Sequence, residues 1–87
     1  MEADLRKAEL REATLSLTDL TDANLHSANL SRANLRGVNL QGANLSLANL
    51  SEANLHRANL RGAKLDNVNL TGACLKEAIL PDGTLHD

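Results

Sequence analysis

The chain has 87 residues, no Trp, Tyr or Phe, one cysteine and a formal net charge of −2. Without aromatic rings it has nothing on which to stack unpaired bases, which weighs against binding single-stranded nucleic acid, and one cysteine makes no internal disulfide. No apolar run is long enough for a membrane span or a signal peptide, and the net charge is too small to point to a partner, so the chain as given is expected to be a cytoplasmic protein of one domain, residues 1–87.

Residues 1–22 carry nine charged side chains, yet the dominant pattern is already running, because Ala3 and Leu5 stand in phase with everything that follows. From Leu5 to Leu85 every residue whose number is a multiple of five is leucine. On an α-helix five residues rotate by about 500°, so successive leucines would land roughly 140° apart and no apolar stripe would form. On one long strand an odd spacing would send alternate leucines to opposite faces. The small apolar residue two before each leucine (Ala23, Ala28, Ala33, Val38) has strand spacing to share its face. Each unit therefore reads as a short extended triplet, in-out-in, followed by two residues free to turn a corner.

Residues 23–62 are the regular centre, where Ala-Asn-Leu occurs seven times between Ala23 and Leu60 and Val38-Asn39-Leu40 fills the remaining slot. Gly37, Gly42, Gly62 and Gly72 stand two after a leucine, the third position of a β-turn begun by it. A type II turn needs positive φ there, which glycine adopts at least cost and Asn67 next best. Leu17, Leu47 and the charged residues at the same slot predict a different turn type at the other corners. Residues 63–80 continue the pattern with more substitutions. Pro81 suits the second turn position, and Pro81 to Leu85 read as a turn where the coil loosens or stops. Short strands joined by bends in one direction make a coil, and such internal repeats mean a solenoid.

Alanine, Asp or Asn, leucine and two variable residues is the pattern of the pentapeptide repeat family, which the chain resembles over its whole length in seventeen consecutive units. The resemblance implies an all-β fold, a right-handed quadrilateral β-helix with 20 residues per coil and hence about four coils. Stacking by twenty then gives interior columns such as Leu5, Leu25, Leu45, Leu65 and Leu85, with Leu25, Leu30, Leu35, Leu40, Leu45, Leu50, Leu55 and Leu60 as the central core. Glu12, Arg32 and Glu52 would stack as an alternating-charge ladder, and Asn29, Asn49 and Asn69 as a structural asparagine ladder. Thr18 and Gly83 depart from the small apolar slot, and Thr14, Lys64, Cys74, Ile79 and Thr84 from the Asp/Asn slot, mostly near the ends.

Little in this pattern carries chemistry. His26, His56 and His86 are spaced by thirty residues, one and a half coils, so His56 faces away from the other two and they cannot share a metal. Cys74 reads as a substitution at a variable position, Asp66 and His86 as a surface pair, and no serine is placed with a histidine and a carboxylate. No catalytic, cofactor-binding or metal-binding residues are assigned, no cofactor is expected, and an enzyme is not expected. The face centred on Leu15, Leu35, Leu55 and Leu75 has a net positive charge and that centred on Leu20, Leu40, Leu60 and Leu80 a net negative one. Arg36, His56, Arg57 and Lys76 form a modest basic strip suited to an acidic protein rather than to duplex DNA, which engages more cations.

The expected function is a non-enzymatic protein-interaction or scaffold module with an unidentified protein partner, the role the resemblance implies. The alternative, also implied by the resemblance, is a DNA mimic that binds DNA gyrase or another nucleic-acid-binding protein. It fits less well, since such relatives are strongly acidic and rich in phenylalanine where this chain has leucine. Residues 66–87 hold five charged side chains against nine in residues 1–22. A homodimer through Leu70, Leu75, Leu80 and Leu85 at this drier C-terminal end is therefore expected, unless Pro81 to Asp87 fold across the opening.

Overall fold

A computed structural model describes residues 3–86. Its repeating element is a single extended residue, the one between the small residue and the leucine. Each such residue forms a parallel bridge with the residue twenty further on, from Asp4 with Asn24 to Asn59 with Ile79. The described residues contain no helix and build a β-helical solenoid whose principal extents are 29 × 24 × 24 Å.

The unit Ala33 to Gly37 shows how the backbone donors are used. Ala33 N–H closes the preceding turn on Leu30 C=O (3.0 Å), Asn34 N–H donates back to Ala13 C=O (2.8 Å) and Leu35 N–H forward to Asn54 C=O (2.8 Å). Gly37 N–H donates forward to His56 C=O (2.8 Å), and Arg36 N–H is taken by Asn34 Oδ1 at 3.2 Å. All five donors are paired, four by backbone and one by the asparagine side chain. The asparagines thus stack in register through their backbones, while their side-chain oxygens serve the corner beside them rather than one another.

The corners correct one expectation. Leu17, Leu47 and the charged corner residues do not use a different backbone: among the described residues eleven non-glycine residues there, including Lys7, Glu12, Arg32 and Arg57, have φ between 57° and 62°, beside 65° to 73° at Gly37, Gly42, Gly62 and Gly72. A left-handed conformation costs a non-glycine residue about 1–2 kcal/mol. Abandoning it would break the N–H bond to the next coil and pull the flanking leucine from the core, whose burial contributes roughly 1.5–3 kcal/mol. The non-local terms win.

The core is the column of leucines with alanines between. Leu25, Leu30, Leu35, Leu40, Leu45, Leu50, Leu55 and Leu60 are fully buried, as are Ala23, Ala43 and Val38. Leu5, Leu10, Leu15, Leu65, Leu70 and Leu75 are half-buried, each lacking a neighbouring coil on one side.

Leu85 does not continue its column; it is 65 % exposed. The last turn, Leu80 to Gly83, closes with Gly83 N–H on Leu80 C=O (2.8 Å), and positive φ falls on Gly83 (88°) rather than on Asp82. A turn followed by a left-handed glycine is the three-residue hairpin connection, and the chain reverses so that Leu85 bridges Ile79 antiparallel. His86 C=O accepts Glu77 N–H (2.9 Å), Thr84 C=O accepts Leu80 N–H (2.7 Å) and His86 N–H donates to Ala78 C=O (2.8 Å). The tail thereby supplies to one side of the last rung the bonds that a further coil supplies elsewhere, and Ala78 beneath it is fully buried while Ala73 is only half-buried.

Candidate interaction surface

Outward side chains come from the two corner positions and the asparagine slot, so each corner displays two adjacent columns at the 20-residue register. At the corner after Leu15, Leu35, Leu55 and Leu75 the first column is Ser16, Arg36, His56 and Lys76, and the second Leu17, Gly37, Arg57 and Glu77. The structure brings all four residues of the basic strip together here. Their backbones are tied rung to rung, with Leu17 N–H on Arg36 C=O at 2.9 Å and Arg57 N–H on Lys76 C=O at 3.0 Å. The side chains are set by a rigid ladder rather than by a loop.

The strip is less basic than its four residues suggest, because Glu77 stands within it. Arg57 Nε donates to Glu77 Oε1 at 2.8 Å, and His56 Nε2 lies 3.8 Å from the same oxygen. The hydrogen bond from Arg57, and then its charge, hold the Glu77 carboxyl below the ordinary glutamate range. His56 Nε2 is covered from solvent and makes no hydrogen bond. Among the described residues Arg36 and Lys76 make no ion pair and are both exposed, so the available cations stand two rungs apart, roughly 10 Å at strand spacing. The sequence signal for Glu77 was its distance of twenty from Arg57, the spacing that relates Arg32 to Glu52.

That second ladder is formed: Arg32 Nε donates to Glu52 Oε1 at 3.1 Å, and Arg32 Nη1 lies 4.0 Å from Glu12 Oε2. On the acidic face, Asp19 accepts from Thr21 Oγ1 (2.6 Å) and Asp82 from Thr84 Oγ1 (2.6 Å), while Asp22 lies over Gly42. His26 stands at another corner, with Nδ1 3.1 Å from Ser27 Oγ. Cys74 is exposed in the asparagine slot. Among the described residues no three His, Cys, Asp or Glu side chains are grouped to hold a metal ion, and no helix is long and apolar enough to cross a membrane. Among the described residues three large apolar side chains are exposed: Leu17 (82 %), Leu85 (65 %) and Leu47 (54 %).

The family model for pentapeptide repeats matches eight copies over residues 1–37, 28–67 and 43–81. No curated protein matches the chain. The fold is similar to the crystal structure of Rfr23, a pentapeptide repeat protein from the cyanobacterium Cyanothece 51142, at 44% identity and a TM-score of 0.81, over 82% of this chain and 48% of that one. It is also similar to HetL from Nostoc sp. strain PCC 7120, a pentapeptide repeat protein involved in heterocyst differentiation regulation, at 46% identity and a TM-score of 0.59, over 95% of this chain and 43% of that one. A third similar structure is alr5209 from Nostoc PCC 7120, at 43% identity and a TM-score of 0.52, over 88% of this chain and 68% of that one. The chain spans less than half the length of the first two.

Proposed function

The chain belongs to the pentapeptide repeat family, and on that premise we propose that it is a non-enzymatic protein-interaction or scaffold module. The proposed form is one cytoplasmic domain over residues 1–87, a right-handed quadrilateral β-helix of about four coils. The observation that carries the functional reading is the pair of unpaired, exposed cations Arg36 and Lys76, held in register by rung-to-rung hydrogen bonds at one corner. A rigid display presents charges to a partner with little ordering cost, and its proposed target is an acidic protein surface met by Arg36, His56, Arg57 and Lys76. HetL is involved in heterocyst differentiation regulation, and a regulatory role for this chain, exerted through such contact, fits the same surface. Self-association through the half-buried Leu70 and Leu75 belongs to this reading, with Leu85 no longer part of the apolar end.

The DNA-mimic alternative needs an acidic face, and here Asp19, Asp22 and Asp82 share theirs with Arg61. Two measurements separate the readings. Gyrase supercoiling is expected to be unchanged by the protein, and inhibition at stoichiometric levels would favour mimicry. Affinity capture from a lysate of the source organism is expected to retain a partner with the parent chain and to lose it with the double variant Arg36→Glu and Lys76→Glu. Equal capture by both would remove the strip from the proposal.

A further inference from the structure

Leu17 occupies a position that is unfavourable twice over. Its side chain is 82 % exposed, the most of the large apolar residues described, and its φ of 61° is one that leucine adopts only at a cost. Nor does the core need it, since at the equivalent corner position one coil on stands Gly37. That glycine shapes what Leu17 does. A Cβ on Gly37 would come within 2.7 Å of Leu17 Cδ2, so it is the missing side chain that lets Leu17 lie across the corner. Beside it, Leu17 N–H is bonded to Arg36 C=O at 2.9 Å, which fixes the apolar side chain and an unpaired guanidinium in one register. The next residue of the column is Arg57, already neutralised by Glu77. The corner therefore reads, rung by rung, as leucine beside serine, glycine beside a free cation, and an ion pair beside His56 and Lys76.

We propose that Leu17 and Arg36 together form the anchor of the interaction surface, and that its ligand is an acidic peptide segment carrying an apolar side chain flanked by carboxylates. This inference rests on the interaction reading above and narrows it. The apolar side chain of the ligand packs on the outer face of Leu17, which itself lies over Gly37, and a neighbouring carboxylate takes the Arg36 guanidinium, which suits paired hydrogen bonds to one carboxylate. A second carboxylate two rungs along meets Lys76. Charge alone gives exposed pairs little strength, so the apolar contact is what makes the site selective for such a ligand over any polyanion. Leu47 is the internal control. It too is exposed at positive φ (62°), but its corner neighbours are Ser27, Asn67, Ser46 and Asp66, with no free cation beside it.

The test is titration of the uniformly ¹⁵N-labelled chain with a blocked synthetic pentapeptide, Glu-Asp-Leu-Asp-Glu, followed by amide shifts, with the same peptide carrying Ser for Leu as comparison. Shifts are expected to cluster at Leu17, Arg36, Gly37 and His56, and the serine peptide to bind about tenfold more weakly. Leu17→Ser, which folds because Ser27 already holds that backbone at φ 62°, and Arg36→Glu are each expected to weaken binding about tenfold. Leu47→Ser is expected to change it by less than about twofold. If Arg36→Glu weakens binding and Leu17→Ser does not, the anchor is wrong while the basic strip stands. If neither variant matters, or the shifts lie elsewhere, both readings fall. Equal loss with Leu17→Ser and Leu47→Ser would show unspecific apolar contact and overturn the anchor.

Discussion

Ser46 N–H donates to Asn44 Oδ1 at 3.0 Å, and the same bond joins His56 to Asn54 and Thr71 to Asn69. The asparagine is needed as an acceptor, because the corner geometry leaves this one donor without a backbone partner. A carboxylate serves equally, as Asp19 does for Thr21 N–H at 3.1 Å. Asn44→Asp is therefore expected to leave the denaturation midpoint nearly unchanged, whereas Asn44→Ala is expected to cost on the order of 1 kcal/mol. Chemical denaturation of both variants checks this, and equal midpoints would remove the capping role.

Leu45 is fully buried between the columns of the central coils, while Leu10 at the N-terminal coil is half-buried. Leu45→Ala is expected to cost roughly 2–5 kcal/mol. Leu10→Ala is expected to cost clearly less, because the site is already open on one side. Similar losses in urea unfolding would contradict a core that thins toward its ends.

Among the described residues eleven non-glycine residues hold positive φ at the corners and none of these is β-branched, whereas Thr21 and Thr71 occupy the preceding position. Gly42→Val and Gly62→Val are expected to destabilise by roughly 1–3 kcal/mol, and valine at Ser46 by much less. Gly42→Val is expected to be the worse of the two, because its Cβ would overlap Asp22 Oδ1 while at Gly62 the nearest atom is 3.8 Å away. Calorimetry on these variants, with Asp22→Ala added to Gly42→Val as partial rescue, tests the ordering.

Asp82 accepts from Thr84 Oγ1 and Thr84 N–H, and these bonds, the hydroxyl first, hold its carboxyl below the usual aspartate range. A depressed folded value means that its contribution is present above the unfolded pKa, near 4, and is lost as the pH falls through the lower folded value. Amide protection factors for Glu77 and Leu80 are thus expected to drop on acidification through that window. Glu77 is likewise held below its ordinary range, by the hydrogen bond and charge of Arg57. Asp82→Ala isolates the tail: it is expected to lower protection at neutral pH and to remove part of the acid step. Unchanged protection at neutral pH would show that the hairpin does not depend on Asp82.

Leu65, Leu70 and Leu75 N–H find no acceptor among the described residues, in contrast to Leu80 N–H under the tail. Light scattering at tens of micromolar is expected to give a dimer, and Leu75→Lys a monomer. A monomeric parent would mean that the tail hairpin suffices to close this end.

What the sequence by itself determined is the alternation of inward and outward residues and the place of each corner as far as Glu77. Burial is a property of residue type, and leucine at Leu25, Leu45 and Leu65 with alanine two before reports a buried face whatever the chain does next. The ladder of Glu12, Arg32 and Glu52 was legible for the same reason, since complementary charges twenty apart are visible once the coil length is supposed. Where the reading failed, a non-local bond outweighed a local preference. Local preference assigns Leu17 and Leu47 to a right-handed turn, yet the bond from each corner N–H to the next coil, together with leucine burial, holds them at positive φ. The leucine period alone would carry Leu85 into its column, but the left-handed residue falls on Gly83, one position later than the period sets, and the chain reverses into an antiparallel bridge between Leu85 and Ile79. Glu77 stands twenty residues from Arg57 in the sequence, but its carboxylate is tied to Arg57 only by the stacked rungs, which leave Arg36, beside Leu17, and Lys76 as the free cations of the strip.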